Sequence, residues 1–419
     1  MSIAKIKHGK SKYEVADILR NNWDYVETSN KFTAHQQRML RALTLCRTAA
    51  LGGHIDACTS CGVVRISYNS CRNRHCPKCQ STERERWLMA RESDLLPVPY
   101  FHVVFTLPDV LNDWVIRQPK LVYQTLFRAA WQTIQVFSNS RKKDEKYLGA
   151  KTGMISILHS WGQNLSLHPH IHCIIPGGGL TNLGIWKTAK SNGKYLFSVN
   201  AMSNVFRAKF VAILRQSVEK QDVKLPSEYQ VYKQLFQKKW VVYAKRPFDS
   251  PKAVLEYLGR YSHKIAISNH RILKIESDKV HFSYKDYRVG GEKKVIVLTQ
   301  QEFIRRFALH ILPSSFMRIR HYGILSSGHK KRYLAAARRS LKAQGKVLPK
   351  PTKVVETWEE IAKNRLNFDV KKCFCCGKRT MQRVGIIPAQ PMPKAKKERA
   401  PPTIRDYSKS RPSLDKVQF

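Results

Sequence analysis

His168-Pro169-His170-Ile171-His172-Cys173-Ile174-Ile175, followed by Pro176-Gly177-Gly178-Gly179, is the stretch on which the fold turns. An apolar run of this length, bounded by Gly and Pro, reads as a buried strand. Strand side chains alternate in direction, so His168, His170 and His172 share one face and Ile171, Cys173 and Ile175 the other. Imidazoles converging from a buried strand are costly as plain core. They make sense as ligands of a divalent cation. A polar sheet face with solvated histidines is the alternative reading.

Outward from this strand, residues 100–108 and 154–159 read as two further buried strands, and residues 240–244 as another. Amphipathic helices are expected over 110–138 and 201–219. Strands with helices between them suit an α+β sheet domain. Residues 251–264 predict a helix in which Tyr257 and Tyr261, four apart, share a face flanked by Arg260 and Lys264. Two core tyrosines are the plainer reading of that pair. Residues 272–298 alternate as strands around Gly290-Gly291, and a helix follows over 300–311. Arg305, Arg306, Arg318, Arg320 and His321 then form a basic segment that either contacts phosphates or is a solvated face.

Upstream, residues 13–52 look helical, with a capping box at Thr33-Ala34-His35-Gln36. Cys58-Thr59-Ser60-Cys61 and Cys76-Pro77-Lys78-Cys79 are two metal knuckles, and together they make up one expected four-thiolate zinc site. His54, Cys71 and His75 either join a second zinc or only line the first, and Cys46 stands upstream. Arg65, Arg72, Arg74 and Lys78 place cations beside the metal. Downstream of residue 325 come a basic helix, a proline-containing linker over 346–353 and a short helix over 358–366. The lone knuckle Cys373-x-x-Cys376 is half a zinc site or a pair of reduced thiols. Residues 388–419, rich in Pro, Lys, Arg and Ser, read as a disordered basic tail.

The chain has 75 Lys and Arg against 30 Asp and Glu, a formal charge of +45 spread over its length. That excess calls for a polyanionic partner, nucleic acid first. No apolar run is long enough for a transmembrane helix, and the N-terminus lacks the apolar region of a secretory signal. Paired cysteines without a signal read as metal ligands rather than disulfides. A cytoplasmic, nucleoid-associated protein is expected. No Walker-type glycine loop is present.

The His-hydrophobic-His strand with a Tyr-x-x-x-Tyr helix resembles the HUH endonucleases, and among them the two-tyrosine, rolling-circle transposases of the insertion-sequence-91 type. The cysteine region from His54 to Gln80 resembles that family's N-terminal zinc domain. Phe105-Thr106-Leu107-Pro108, residues 159–165, the histidine strand, the triple glycine and Arg318-Ile319-Arg320-His321-Tyr322-Gly323 resemble its catalytic core in matching order. The resemblance implies an HUH core, an antiparallel sheet flanked by helices, preceded by a helical, zinc-binding domain. Together with the change of character after residue 325, this gives three parts: residues 1–95 binding zinc and DNA, 96–325 catalytic, and 326–419 a basic extension with the single cysteine knuckle and the tail. The resemblance also implies Mg²⁺ or Mn²⁺ at the catalytic site and Zn²⁺ in the N-terminal domain. The DNA would be single-stranded or hairpin element ends.

Carried over by resemblance, His170 and His172 are metal ligands and Tyr257 and Tyr261 nucleophiles. Related relaxases place a third histidine eleven residues before the pair, where His159 stands; Gln163 and His168 are its rivals. A non-catalytic zinc-containing nucleic-acid-binding protein, or a decayed transposase, shares the charge and the knuckles. A metal-dependent hydrolase would use the histidines but not the tyrosines.

Overall fold

The structure, a computed structural model, describes residues 11–139, 147–189, 196–248, 251–286, 289–348 and 357–390. The expected tail over 388–419 falls outside them beyond residue 390, as does most of the linker. Helices α1 (Val15–Asn21), α2 (Trp23–Thr28) and α3 (Ala34–Thr44) open the chain. The Thr33–Gln36 capping box forms as expected and starts α3. Strands β1 (Gly53–Cys58) and β2 (Val64–Tyr68) and helix α4 (Gln80–Glu92) follow. Next come β3 (Tyr100–Thr106), α5 (Asn112–Arg117), α6 (Pro119–Asn139), β4 (Gly153–Trp161), β5 (Leu167–Pro176), β6 (Gly178–Leu180) and β7 (Trp186–Thr188). Helices α7 (Val199–Gln221) and α8 (Glu228–Gln237), β8 (Val242–Phe248) and α9 (Pro251–Tyr261) complete the middle of the chain. The remainder is β9 (Ile272–Glu276), β10 (Lys279–Asp286), β11 (Glu292–Thr299), α10 (Gln300–Ala308), β12 (Ile319–Gly323), α11 (Lys330–Ala343), α12 (Trp358–Asn364) and β13 (Met381–Ile387).

The histidine strand is β5, and it lies at the centre of a five-stranded sheet of order β12-β4-β5-β3-β8. Every pairing in that sheet is antiparallel. Alternation sorts its side chains as period two requires. Val103, Phe105, Met154, Leu158, Ile171, Cys173 and Ile175 face a core built with α6 and α7. Tyr100, Ile155, Ile157 and Ile174 face the opposite core, with Leu88 of α4, Val254 and Leu258 of α9, and Leu334 of α11. Helices on both faces explain why every residue of β4 is buried. The fold is thus α+β, an antiparallel sheet flanked by helices, as the HUH core requires. Among the described residues, no helix is long and apolar enough to cross a membrane.

A third core joins the two ends of the described chain's first three hundred residues. Val15, Ile18, Leu19, Leu40 and Leu43 pack with Ile272, Val280 and Phe282 of the β9-β10-β11 sheet and with Phe303 and Phe307 of α10. Trp161, at the end of β4, belongs to the same core. The N-terminal helices are therefore fastened to the β9-β10-β11 sheet and to α10.

His310, just past α10, is buried there between Ser160 Oγ and Leu165 O, each 3.2 Å from a ring nitrogen. Burial lowers its pKa to about 4, against roughly 6.5 unfolded. Acidification therefore protonates the unfolded chain first. The neutral ring's contribution is complete above pH 6.5 and is lost between 6.5 and 4, about 3 kcal/mol in all. His310→Gln is expected to flatten the fall in urea midpoint between pH 7 and 5. An unchanged fall would contradict this assignment.

Candidate active site

Register brings the third histidine to the pair. β4 and β5 align His159 with His170 and Ile157 with His172, so His159, His170 and His172 share a face. One ligand nitrogen from each lies within 4.8 Å of the others. Three neutral imidazoles at this spacing fit one divalent ion and leave further coordination positions for substrate oxygens. His170 Nδ1 stands 2.7 Å from the His168 carbonyl. A proton held at Nδ1 donates to that carbonyl and leaves the Nε2 lone pair for an ion. His168 itself is exposed, beside His170 at 5.2 Å between ring centroids, and is not part of the trio. Gln163 lies beyond the end of β4, where its carbonyl accepts from Arg271.

Electrostatics keep the rings of His170 and His172 neutral. Burial, with the charges of His168 and Lys264, lowers His170 to about 4. Burial and the charges of His170, His102 and Lys264 push His172 further down.

Helix α9 lays Tyr257 over the cluster. Its hydroxyl is 2.6 Å from His102 Nε2 and 3.1 Å from His172 Nδ1. His102 Nε2 and His172 Nδ1 are themselves 3.0 Å apart. Gly259 lets α9 pack closely on α4, since a Cβ there would meet the Leu88 side chain at 3.1 Å. His102 was not singled out from sequence. Its signal was a lone polar residue within the apolar run of β3, on the face that alternation shares with Tyr100. Burial, then Lys245, lowers it to about 3. Tyr261 and Arg260 occupy the last turn of α9; their side chains lie outside the described ones. Lys264 follows the helix, close enough for its charge to act on His170 and His172.

The basic residues of α10 and of the segment after it make contacts within the fold. Arg318 is buried and donates to the carbonyls of Ser262 and Lys264, fixing the exit of α9. Arg320 lies over the Phe127 ring at 4.3 Å. Arg305 and Arg306 pair with Glu302, and His321 contacts Arg91. A cleft of about 780 Å³ opens beside Lys264. Lys78, Arg84, Lys264, Arg271, Lys285 and Lys293 line it, with no carboxylate among its lining residues. Lys78 and Arg84 are partly neutralised, by Glu14 and Glu85.

The cysteines group differently from the sequence expectation. Cys58 and Cys61 do not join Cys76 and Cys79. Cys46, Cys71, Cys76 and Cys79 form one group, and Cys58, Cys61, Cys373 and Cys376 another. The cause is the β1-β2 hairpin, which carries Cys58 and Cys61 at its turn while Gly53 pairs with Tyr68 at its open end. Five residues of strand, roughly 16 Å, carry the Cys58–Cys61 turn away from the open end, from which the chain runs on to Cys71 and Cys76. Cys46, just after α3, fills the vacated place. Its Sγ is 3.3 Å from that of Cys79 and 3.5 Å from that of Cys76. Hydrogen bonds from Cys46, Cys71 and Cys76 hold Cys79 far below an ordinary thiol, while the neighbouring sulfurs raise Cys76. Four thiols sharing charge in this way suit a dication. His54 and His75 belong to neither group: His54 contacts Asp56, and His75 is buried beside Arg74.

A family model described as "Transposase zinc-binding domain" matches residues 18–107, and one described as "Putative transposase" matches residues 153–332. "Putative transposase y4qJ" of Sinorhizobium fredii (strain NBRC 101917 / NGR234) is 39% identical over 389 residues, 90% of this chain and 96% of that protein. The chain belongs to the insertion-sequence-91 family of transposases. The "Transposase for insertion sequence element IS801" of Pseudomonas savastanoi pv. phaseolicola is 26% identical over 363 residues, 81% of this transposase and 82% of its relative. No solved structure matches the transposase. Both cysteine knuckles of the N-terminal half fall inside the zinc-binding match, whereas Cys373 and Cys376 fall outside both matched segments.

Proposed function

We propose that this transposase nicks and rejoins single-stranded DNA through a 5′-phosphotyrosine intermediate, as rolling-circle transposition requires. The observation that carries the reading is the Tyr257 hydroxyl, 3.1 Å from a nitrogen of the three-histidine cluster. His159, His170 and His172 would hold Mn²⁺ or Mg²⁺, which as a Lewis acid polarises the scissile phosphate. Imidazole donors favour Mn²⁺ over the harder Mg²⁺.

The protein's own groups supply the rest. The Tyr257 oxygen attacks phosphorus, the bond to O3′ breaks, and the strand leaves with a free 3′-OH. His102 Nε2 and His172 Nδ1 are within hydrogen-bond reach of the phenol and set the direction of its oxygen. Rejoining is the reverse displacement: a 3′-OH attacks phosphorus and the tyrosine oxygen leaves. The ester conserves the bond energy, so no nucleotide hydrolysis is needed. Tyr261, one turn on, is the second nucleophile, and Arg260 and Lys264 offset phosphate charge. The cationic cleft is where the strand would approach. Cys46, Cys71, Cys76 and Cys79 hold the zinc of the N-terminal domain.

Incubation with single-stranded oligonucleotides carrying the element's ends, plus Mn²⁺, should give an SDS-resistant adduct. The Tyr257→Phe, Tyr261→Phe double variant should lose it. Cleavage with no adduct would mean hydrolysis by water and would end this reading.

A further inference from the structure

We infer that Cys58, Cys61, Cys373 and Cys376 bind a second zinc ion, which clasps the C-terminal segment to the N-terminal zinc domain. Neither matched family segment contains Cys373 or Cys376, and the inference is independent of the strand-transfer chemistry.

Two knuckles of the same build face each other. In the first, the Cys58 N–H donates to Val63 O at 2.9 Å and the Gly62 N–H to Cys58 O at 2.9 Å. In the second, the Cys373 N–H donates to Lys378 O at 2.8 Å and the Gly377 N–H to Cys373 O at 3.1 Å. The offsets are identical, and Gly62 and Gly377 both sit at φ +73°, a conformation that side-chain-bearing residues avoid. A Cys-x-x-Cys-Gly turn of this shape aims both sulfurs at one point. The facing pairs stand at 3.7 Å for Cys58 and Cys376 and 3.6 Å for Cys61 and Cys373. A tetrahedron with zinc–sulfur bonds of about 2.3 Å has edges of about 3.8 Å. A disulfide would need about 2.05 Å.

The backbone has brought these knuckles together across more than three hundred residues. β13 pairs antiparallel with β1, from Gly53 opposite Ile387 to Cys58 opposite Met381. β13-β1-β2 is therefore a small sheet made from both ends of the described chain, with the knuckles at one end. The Thr59 N–H donates to Thr380 O, and Arg65 reaches Val370 O. Apolar burial is too slight to hold this assembly. Its core is Cys58, Cys373 and Met381, with Val63 against them. Val64, Ile66, Val384 and Ile386 of the same strands are exposed. A module with so small a core and four converging thiols is the situation in which a structural metal supplies the stability.

The test is zinc content of the full-length protein, purified under reducing conditions. Two zinc ions per chain are expected. Cys373→Ser/Cys376→Ser should hold one, and so should Cys58→Ser/Cys61→Ser. Combining all four substitutions should still leave one, because both pairs serve the same ion. Cys376→His, which keeps a donor, should restore the second ion, so a loss in the serine variants cannot be put down to misfolding. Cobalt substitution gives an independent readout: the thiolate-to-metal charge-transfer band should fall by half in either double variant. A parent protein with one zinc, or a Cys373→Ser/Cys376→Ser variant that keeps two, would overturn the inference.

Discussion

His159→Ala is expected to reduce strand cleavage by more than about 100-fold and to weaken Mn²⁺ binding at least as much. Loss of groups that merely orient a ligand costs roughly 10–100-fold, and loss of a ligand should cost more. His159 stands directly opposite His170 in the sheet, and its ring centroid is 4.6 Å from that of His172. Gln163→Ala and His168→Ala are the controls. Gln163 engages Arg271 through its backbone, and His168 supplies a backbone carbonyl to His170, so neither substitution removes the contact described. Mn²⁺ titration of cleavage by the three variants separates the candidates. Equal loss in His168→Ala and His159→Ala would place the third ligand on β5 instead.

Cys76→Ser is expected to lose the Cys46-group zinc and to loosen far more than a loop. Cys46 and Cys76 are part of the core that holds α1 and α3 to β10 and α10. Structural zinc is worth on the order of 10 kcal/mol in small domains, comparable to the whole stability of a typical one, about 5–15 kcal/mol. Trp161 joins that core to the active site, stacking on His159 with ring centroids 4.7 Å apart. Hydrogen exchange should therefore quicken in α1, α3 and the end of β4 together. Cys375→Ser should leave exchange unchanged, since Cys375 is exposed and outside both thiol groups. Native exchange in a zinc-depleted Cys76→Ser protein would contradict the structural role.

Local signals were legible where local chemistry decides structure. Alternation in β5 announced both its faces, and Thr33-Gln36 announced the start of α3. The eleven-residue interval to His159 came from family resemblance, and antiparallel pairing of β4 with β5 is its physical basis. Long-range pairing left no such trace. Two knuckles fourteen residues apart could equally have shared one metal; the β1-β2 hairpin, with Cys58 and Cys61 at its turn, sends them to different groups. Cys46, a single cysteine after a helix, carries no spacing motif. The partner of the Cys373 knuckle lies at the other end of the chain, joined by β13, whose mostly exposed residues give little pattern to read. His102 was hidden because a lone histidine in a buried strand is ordinary until α9 sets a tyrosine against it.

The most direct measurement is proteolysis and mass spectrometry of the covalent adduct formed on single-stranded element ends. The nucleotide-bearing residue is expected in the peptide spanning Pro251–Tyr261, on Tyr257 or Tyr261 as a phosphotyrosine ester, with a free 3′-OH on the released strand. An adduct on any other residue, or efficient cleavage that leaves the tyrosines unmodified, would contradict it.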